Sequence, residues 1–192
     1  MNAEKSATSL ENQLLIAMPQ LLDPYFANTV TYLCKHNEEG ALGIVINKPL
    51  KVNLAGIFEE LDITYPEENQ FFQNCKILEG GPVEQEKGFI IYRSNECGQS
   101  ALQVADDICL STSRELLQDI ADGKGPEKYL VALGCAGWEA GQLEREISNN
   151  VWLTSPAPPD LVFSNDYNSK ADQAAALLGI DLSQLSPAAG HS

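Results

Sequence analysis

The sequence predicts an α/β protein with one main core, and three observations carry that expectation. Apolar, β-rich runs such as "TVTYLCKH" and "YLVAL" alternate with stretches of helical spacing such as "NLAGIFEELDI" and "QLEREISNN". The 192 residues are 44% hydrophobic and 20% charged, which is a globular balance and not a disordered one. A chain of this length buries enough surface for one sizeable core, which suits a single domain and leaves room for two closely packed lobes.

Each element has a local reason. Residues 1–12 and the tail 186–192, "SPAAGHS" from Ser186, are small and polar enough to be flexible ends, leaving 13–185 as the folded domain. Leu14 to Met18 is a short buried strand stopped by Pro19, which cannot donate to a ladder. In "DPYFAN", Asp23 is placed to cap one helical turn, with Pro24 at its first position. "TVTYLCKH" and "ALGIVINKPL" are expected to pair antiparallel across "NEEG", where Gly40 supplies a positive φ. In "NLAGIFEELDI", Leu54, Ile57, Phe58 and Leu61 fall on one helical face.

"CKILEGGPVEQEKGFIIY" reads as strand, turn and strand, and "ALQVADDICL" as strand around a turn at Asp106-Asp107. Thr112 and Glu115 form a capping box for "SRELLQDIADG", which Gly123 ends. "YLVAL" is a buried strand that gives way to a glycine-containing turn and then to the helix "QLEREISNN". "VWLTSP" and "DLVFS" read as two short strands bent apart by "PAPP". "ADQAAALLG" is a last helix stopped by Gly179.

Charge narrows the function. Twelve basic against 27 acidic residues give a net charge of −15, a field that repels polyanions and anionic membrane surfaces. Direct DNA binding, which draws its affinity from Lys and Arg on phosphates, is not expected. No run approaches the length of a membrane-spanning helix, and "MNAEKSATSLENQ" lacks the basic start and apolar centre of a secretory signal, so the expected place is the cytoplasm. The five cysteines show no C-x-x-C spacing and only two histidines occur, so neither a disulfide framework nor a metal or other cofactor is expected.

The candidate sites each carry a plainer reading. Gly134, Gly137 and Gly141 stand between a strand and a helix, where backbone amides could cradle an anion. Neither dinucleotide nor P-loop spacing is present, and Glu139, Glu144 and Glu146 already bring negative charge there. The preferred reading is a packing turn anchored by Trp138, in which alanine at Gly137 should cost stability. His36 could act as a general base or be a hydrogen-bonded histidine beside the hairpin.

A hydroxyl of Ser111, Thr112 or Ser113, just before a helix, could be a nucleophile, but no G-x-S-x-G surrounds them and helix capping explains them with fewer assumptions. Asn47 reads either as a ligand contact or as a bond to neighbouring backbone, and Pro49 as a strand stop. "EGGPV", with Gly80 and Gly81, reads as a turn before it reads as a substrate loop. Cys135, after a buried strand, is an inert small hydrophobe.

Taken in order and spacing, "LLIAMP", "DPYFANTVTYLCKHNEEGALGIVINKP", "EGGPVEQEKGFIIY", "STSRELL" and "LGCAGWEAGQLEREISNNVWL" resemble the YqgE/AlgH family of largely uncharacterised bacterial proteins. The resemblance covers nearly the whole chain between the tails. It implies a branched, mainly antiparallel β-structure with a small barrel-like portion, surrounded by helices. It also brings a transcriptional-regulator label, drawn from an association with alginate control and not from a DNA-binding motif.

The positions matching the family's motifs are Asp23, His36, Asn47, Pro49, Gly80, Gly81, Pro82, Ser113, Gly137, Trp138, Gly141, Gln142 and Glu144. Two departures stand out, for the family usually has tyrosine at Cys135 and commonly histidine at Arg93. No catalytic set comes with the resemblance.

Three functions follow as expectations. The first is a cytosolic binding or regulatory protein that acts indirectly, through an unidentified protein or small-molecule partner. The second is a hydrolase or group-transfer enzyme with a small-molecule substrate, phosphorylated ones included, using His36, Asn47, Ser113 and Glu144 if folding joins them. Under either, Gly80, Gly81, Gly137, Trp138 and Gln142 are the ligand-binding candidates. The third is weak self-association through strand edges or apolar patches.

Overall fold

The computed structural model describes residues 8–185. The expected end segments 1–7 and 186–192 lie outside the described residues. Residues 8–12, assigned to the flexible end by their composition, are instead tied to the strand Val30–Asn37: the Leu10 and Asn12 N–H groups donate to His36 Nδ1 at 3.0 Å and the Leu33 carbonyl at 2.9 Å, and the Tyr32 hydroxyl to Asn12 Oδ1 at 2.8 Å.

In chain order the first elements are β1 (Gln13–Ala17), β2 (Val30–Asn37), β3 (Gly40–Val45), β4 (Pro49–Asn53), α1 (Leu54–Glu60) and α2 (Gln70–Asn74). Then come β5 (Lys76–Glu79), β6 (Val83–Arg93), β7 (Leu102–Ala105), β8 (Ile108–Ser111), α3 (Arg114–Ala121) and β9 (Tyr129–Glu139). The chain continues as α4 (Gln142–Ser148), β10 (Trp152–Pro156), α5 (Pro159–Val162) and α6 (Lys170–Ala176).

The ten strands among the described residues form one curled, mainly antiparallel sheet in the order β10-β1-β2-β3-β9-β6-β8-β7, with β4 and β5 off that path. The branch lies on β9. Its first half sits between β6, antiparallel, and β5, parallel: Ala132 faces both Phe89 and Leu78. Its second half crosses to β3, with Trp138 opposite Ala41. The sheet curls into a half-barrel with six α-helices around it among the described residues, the branched architecture that the family resemblance implies.

Packing divides the core in three. Leu14, Tyr32, Ile44 and Phe89 meet α5 and α6 through Leu161, Val162 and Ala174. On the opposite side, Leu54, Phe58, Leu117 and Ile120 of α1 and α3 cover Ile90 and Val131. A smaller cluster joins Leu15, Leu33, Trp138, Leu143 and Trp152. Phe58 is fully buried and packs edge-on to Phe72 at 5.1 Å, so its truncation to alanine should cost about 3–5 kcal/mol.

Several local expectations are corrected. "DLVFS" is not a strand: Pro159 takes the first helical position and α5 follows. The cap of α3 is Ser113 and not Thr112, its hydroxyl accepting the Leu116 N–H at 3.3 Å. "YLVAL" does not end at a turn, because β9 runs on to Glu139 and makes its sharp adjustment inside the strand, at Gly134 with φ +76°. Cys97 and Cys109 are disulfide-bonded. Motif spacing could not reveal that pair, since the β7–β8 hairpin returns residue 109 beside the loop that carries residue 97.

Candidate functional site

His36 lies near the end of β2 with 7% of its surface exposed. The Leu10 N–H donates to its Nδ1 at 3.0 Å, while its Nε2 stands 2.6 Å from Glu144 Oε1. An amide can only donate, so Nδ1 is the acceptor and the ring proton sits on Nε2, directed at the carboxylate. Both ring nitrogens are thereby occupied. Glu11 Oε1 accepts the His36 backbone N–H at 3.0 Å, tying the segment before β1 to the same place.

Glu144 is the third residue of α4. Its own backbone N–H at the helix start, and then the His36 ring, hold its carboxyl below the usual glutamate range. His36 and Glu144 are the two catalytic candidates that folding joins. Asn47 lies elsewhere: its Oδ1 accepts the Val30 N–H at 2.8 Å and its Nδ2 donates to the Asn28 carbonyl at 2.9 Å. Val30 opens β2 and His36 is six residues on, a separation of roughly 20 Å along a strand. Ser113 caps α3 and donates to Glu115 Oε2 at 2.7 Å, on the face that carries α1. The four do not converge on one substrate position, and the histidine has no free nitrogen to accept a proton.

The glycine–tryptophan stretch resolves into packing contacts. Trp138 Nε1 and Trp152 Nε1 both donate to Glu146 Oε2, at 2.9 and 2.8 Å, and Gln142 Nε2 donates to Glu146 Oε1 at 2.9 Å. Gln142 also accepts the Glu139 N–H at 3.0 Å, which joins the start of α4 to the end of β9. Gly80 and Gly81 pack against β9: the Gly80 N–H donates to the Leu133 carbonyl at 2.8 Å, a Cβ on Gly81 would fall 2.3 Å from the Cys135 backbone, and one on Gly134 2.4 Å from the Gly81 carbonyl. Gly137 differs, since a Cβ there would meet only Val83 Cγ2 at 3.9 Å.

A groove of about 650 Å³ opens where α1 and α3 lie across β6 and β9. Leu61, Leu117 and Leu133 bring apolar surface into it, over the buried Ile90 and Val131. Its rim is made by a register shift between Val83 and Gly88, which lifts Gln85 and Glu86 off β9. Across from them Arg114 Nη2 donates to the Leu61 carbonyl at 2.7 Å, so this guanidinium already binds the end of α1. Glu60 and Glu86 have no basic partner among the described residues and leave the rim acidic. Of the candidates read from sequence, only the hydroxyl residues Thr112 and Ser113 reach this groove. The others were missed because Glu59-Glu60 and "EQEK" look like ordinary solvated faces until the register shift sets one of them opposite the other.

The AlgH-like family profile matches residues 14–183. The chain belongs to the AlgH-like family. It is similar to the UPF0301 protein AlgH of Pseudomonas aeruginosa, 47% identical over 191 residues that cover 98% of this chain and 99% of that one. A UPF0301 protein of Idiomarina loihiensis is 45% identical over 184 residues, covering 96% and 99%. The solution structure of the P. aeruginosa AlgH protein superposes with a TM-score of 0.79 at 46% identity over the full length of both chains. A Corynebacterium diphtheriae protein shares the fold at 18% identity, with a TM-score of 0.70 over 92% of this chain and 91% of that one. No helix among the described residues of this AlgH-like chain is long and apolar enough to cross a membrane.

Proposed function

We propose that this AlgH-like protein is a cytosolic regulatory binding module whose groove takes an apolar segment of a protein partner carrying basic residues. One observation carries the reading: an apolar trough over the α1–α3 core has a rim in which two carboxylates, Glu60 and Glu86, outnumber the one cation, Arg114, which is held back on the Leu61 carbonyl. The volume is in the range of recognition clefts, and buried apolar contact supplies affinity while the rim charges select the partner. The net charge of −15 supports the same choice, drawing basic segments in and turning nucleic acid away. Any effect on transcription then passes through the bound protein. The acid–base enzyme reading loses its support, since His36 spends both nitrogens on Leu10 and Glu144.

The test titrates a short amphipathic Leu/Lys peptide into the protein and follows backbone amide shifts. Shifts concentrated in Ile57–Leu61, Gln85–Ile90 and Thr112–Leu117 are expected. Reversing both rim charges, Glu60→Lys with Glu86→Lys, should weaken binding about 2- to 30-fold, from exposed ion pairs worth about 0.2–1 kcal/mol each. The same charge change at Glu38 and Glu39, on the distant β2–β3 turn, should leave it within twofold. Equal losses in the two variants would reduce the attraction to net charge and overturn the groove.

A further inference from the structure

A second cleft, of about 570 Å³, shares no lining residue with the groove. It lies between α2, the start of β9 and the segment that joins α5 to α6. Four rings wall it: Phe71, Tyr129, Phe163 and Tyr167. Phe71 and Tyr129 meet edge to face with centroids 6.4 Å apart, yet Phe71 leaves 57% of its surface in water. A large ring that wet at a concave mouth is apolar surface which a ligand can cover. Tyr167 is fixed from behind by the buried Lys170, whose Nζ sits 5.5 Å from the ring centroid and donates to the carbonyls of Ile46 and Val162.

The polar groups at the mouth sort by charge. Lys128 Nζ and Asp160 Oδ1 pair at 3.4 Å and cancel. That leaves one cation, Lys76, and one anion, Glu127, neither with an ion-pair partner among the described residues. The Tyr129 hydroxyl has no hydrogen-bond partner there either. Leu78 of β5 lies opposite Ala132 of β9, and continuing that parallel register sets Lys76 level with Leu130. Glu127 is three residues earlier, roughly 10 Å along the strand direction, a gap that two long side chains can narrow onto one small molecule.

A purely anionic ligand would meet Glu127 and a strongly negative protein; a purely cationic one would meet Lys76. We propose that this cleft binds a small aromatic zwitterion of the aromatic α-amino acid class, its ring among the four aromatic side chains, its carboxylate on Lys76 and its ammonium on Glu127. The preset position of Tyr167 lowers the ordering cost of binding, and the ring faces add contact beyond area alone. The proposal is independent of the groove.

Calorimetric titration of the full chain tests it with four probes: L-phenylalanine, phenethylamine, 3-phenylpropionate and L-leucine. Phenylalanine should bind, and each probe lacking one feature should bind at least tenfold more weakly. Lys76→Gln should bring phenylalanine down to the affinity of phenethylamine, and Glu127→Gln down to that of 3-phenylpropionate. Both positions are exposed, so unchanged thermal melting is expected of both variants. Amide shifts on binding should centre on Phe71, Tyr129 and Tyr167. No heat with phenylalanine on a cooperatively melting sample would overturn the proposal, as would shifts in the groove or a one-charge probe that matches phenylalanine.

Discussion

At the residue scale, His36 has both ring nitrogens engaged within the fold. The ring accepts from the Leu10 amide and donates to Glu144, so it works as a strut between the segment before β1 and the start of α4. Replacing His36 with alanine should expose the Leu10 amide and speed its hydrogen exchange by at least tenfold, while amides in β9 keep their protection. Unchanged exchange at Leu10 would mean that the strut carries nothing.

Lys170 supplies the pH signature. Burial pushes its ammonium down to about 8 from 10.5. Between those values the unfolded chain binds more protons than the folded one, so this group makes stability rise with pH. The full penalty is present below pH 8 and relieved as pH approaches 10.5, a swing of about 3 kcal/mol. Tyr32, Tyr129 and the thiols of Cys34 and Cys75, all raised by burial, act in the opposite direction. The contribution is therefore read as the difference between the wild type and Lys170→Met in urea unfolding at pH 7.5 and 9.5: the wild type should gain on the variant as pH rises, and parallel curves would contradict the assignment.

At the scale of the element, β9 holds the molecule together and its glycines are unequal. Gly134 has φ +76° and a Cβ there would sit 2.4 Å from the Gly81 carbonyl, whereas Gly137 has open space. Gly134→Ala should cost upward of about 1–2 kcal/mol for the left-handed backbone alone, and Gly137→Ala should shift the melting temperature by little. That reverses the sequence-based expectation, which assigned the cost to Gly137.

The reversal shows what was legible. Strands β1, β2 and β3, the hairpin at Asp106-Asp107 and helices α1, α3, α4 and α6 announce themselves through local periodicity and turn residues. The run of β9 through Gly134 and Gly137 does not, because its pairing with β3, β5 and β6 is non-local and overrides weak strand propensity. His36 and Glu144 were each legible as notable residues, but their contact spans 108 positions. The groove was the least legible feature, since a register shift and two helices from separate stretches compose it.

At the scale of the whole molecule, the acidic field and the two clefts define the account. A chain at −15 should give no shift of promoter-length duplex DNA at physiological salt, and a retarded complex with a steep salt dependence would contradict indirect action. The field alone would attract any basic segment weakly, and only the groove makes the attraction local. The most direct test of that central claim is the amide-shift titration with the Leu/Lys peptide, run in parallel on the Glu60→Lys/Glu86→Lys and Glu38→Lys/Glu39→Lys proteins. The account predicts shifts along α1, α3 and the Gln85–Ile90 segment that the first variant loses and the second keeps. Shifts scattered over the surface, or lost equally in both variants, would contradict it.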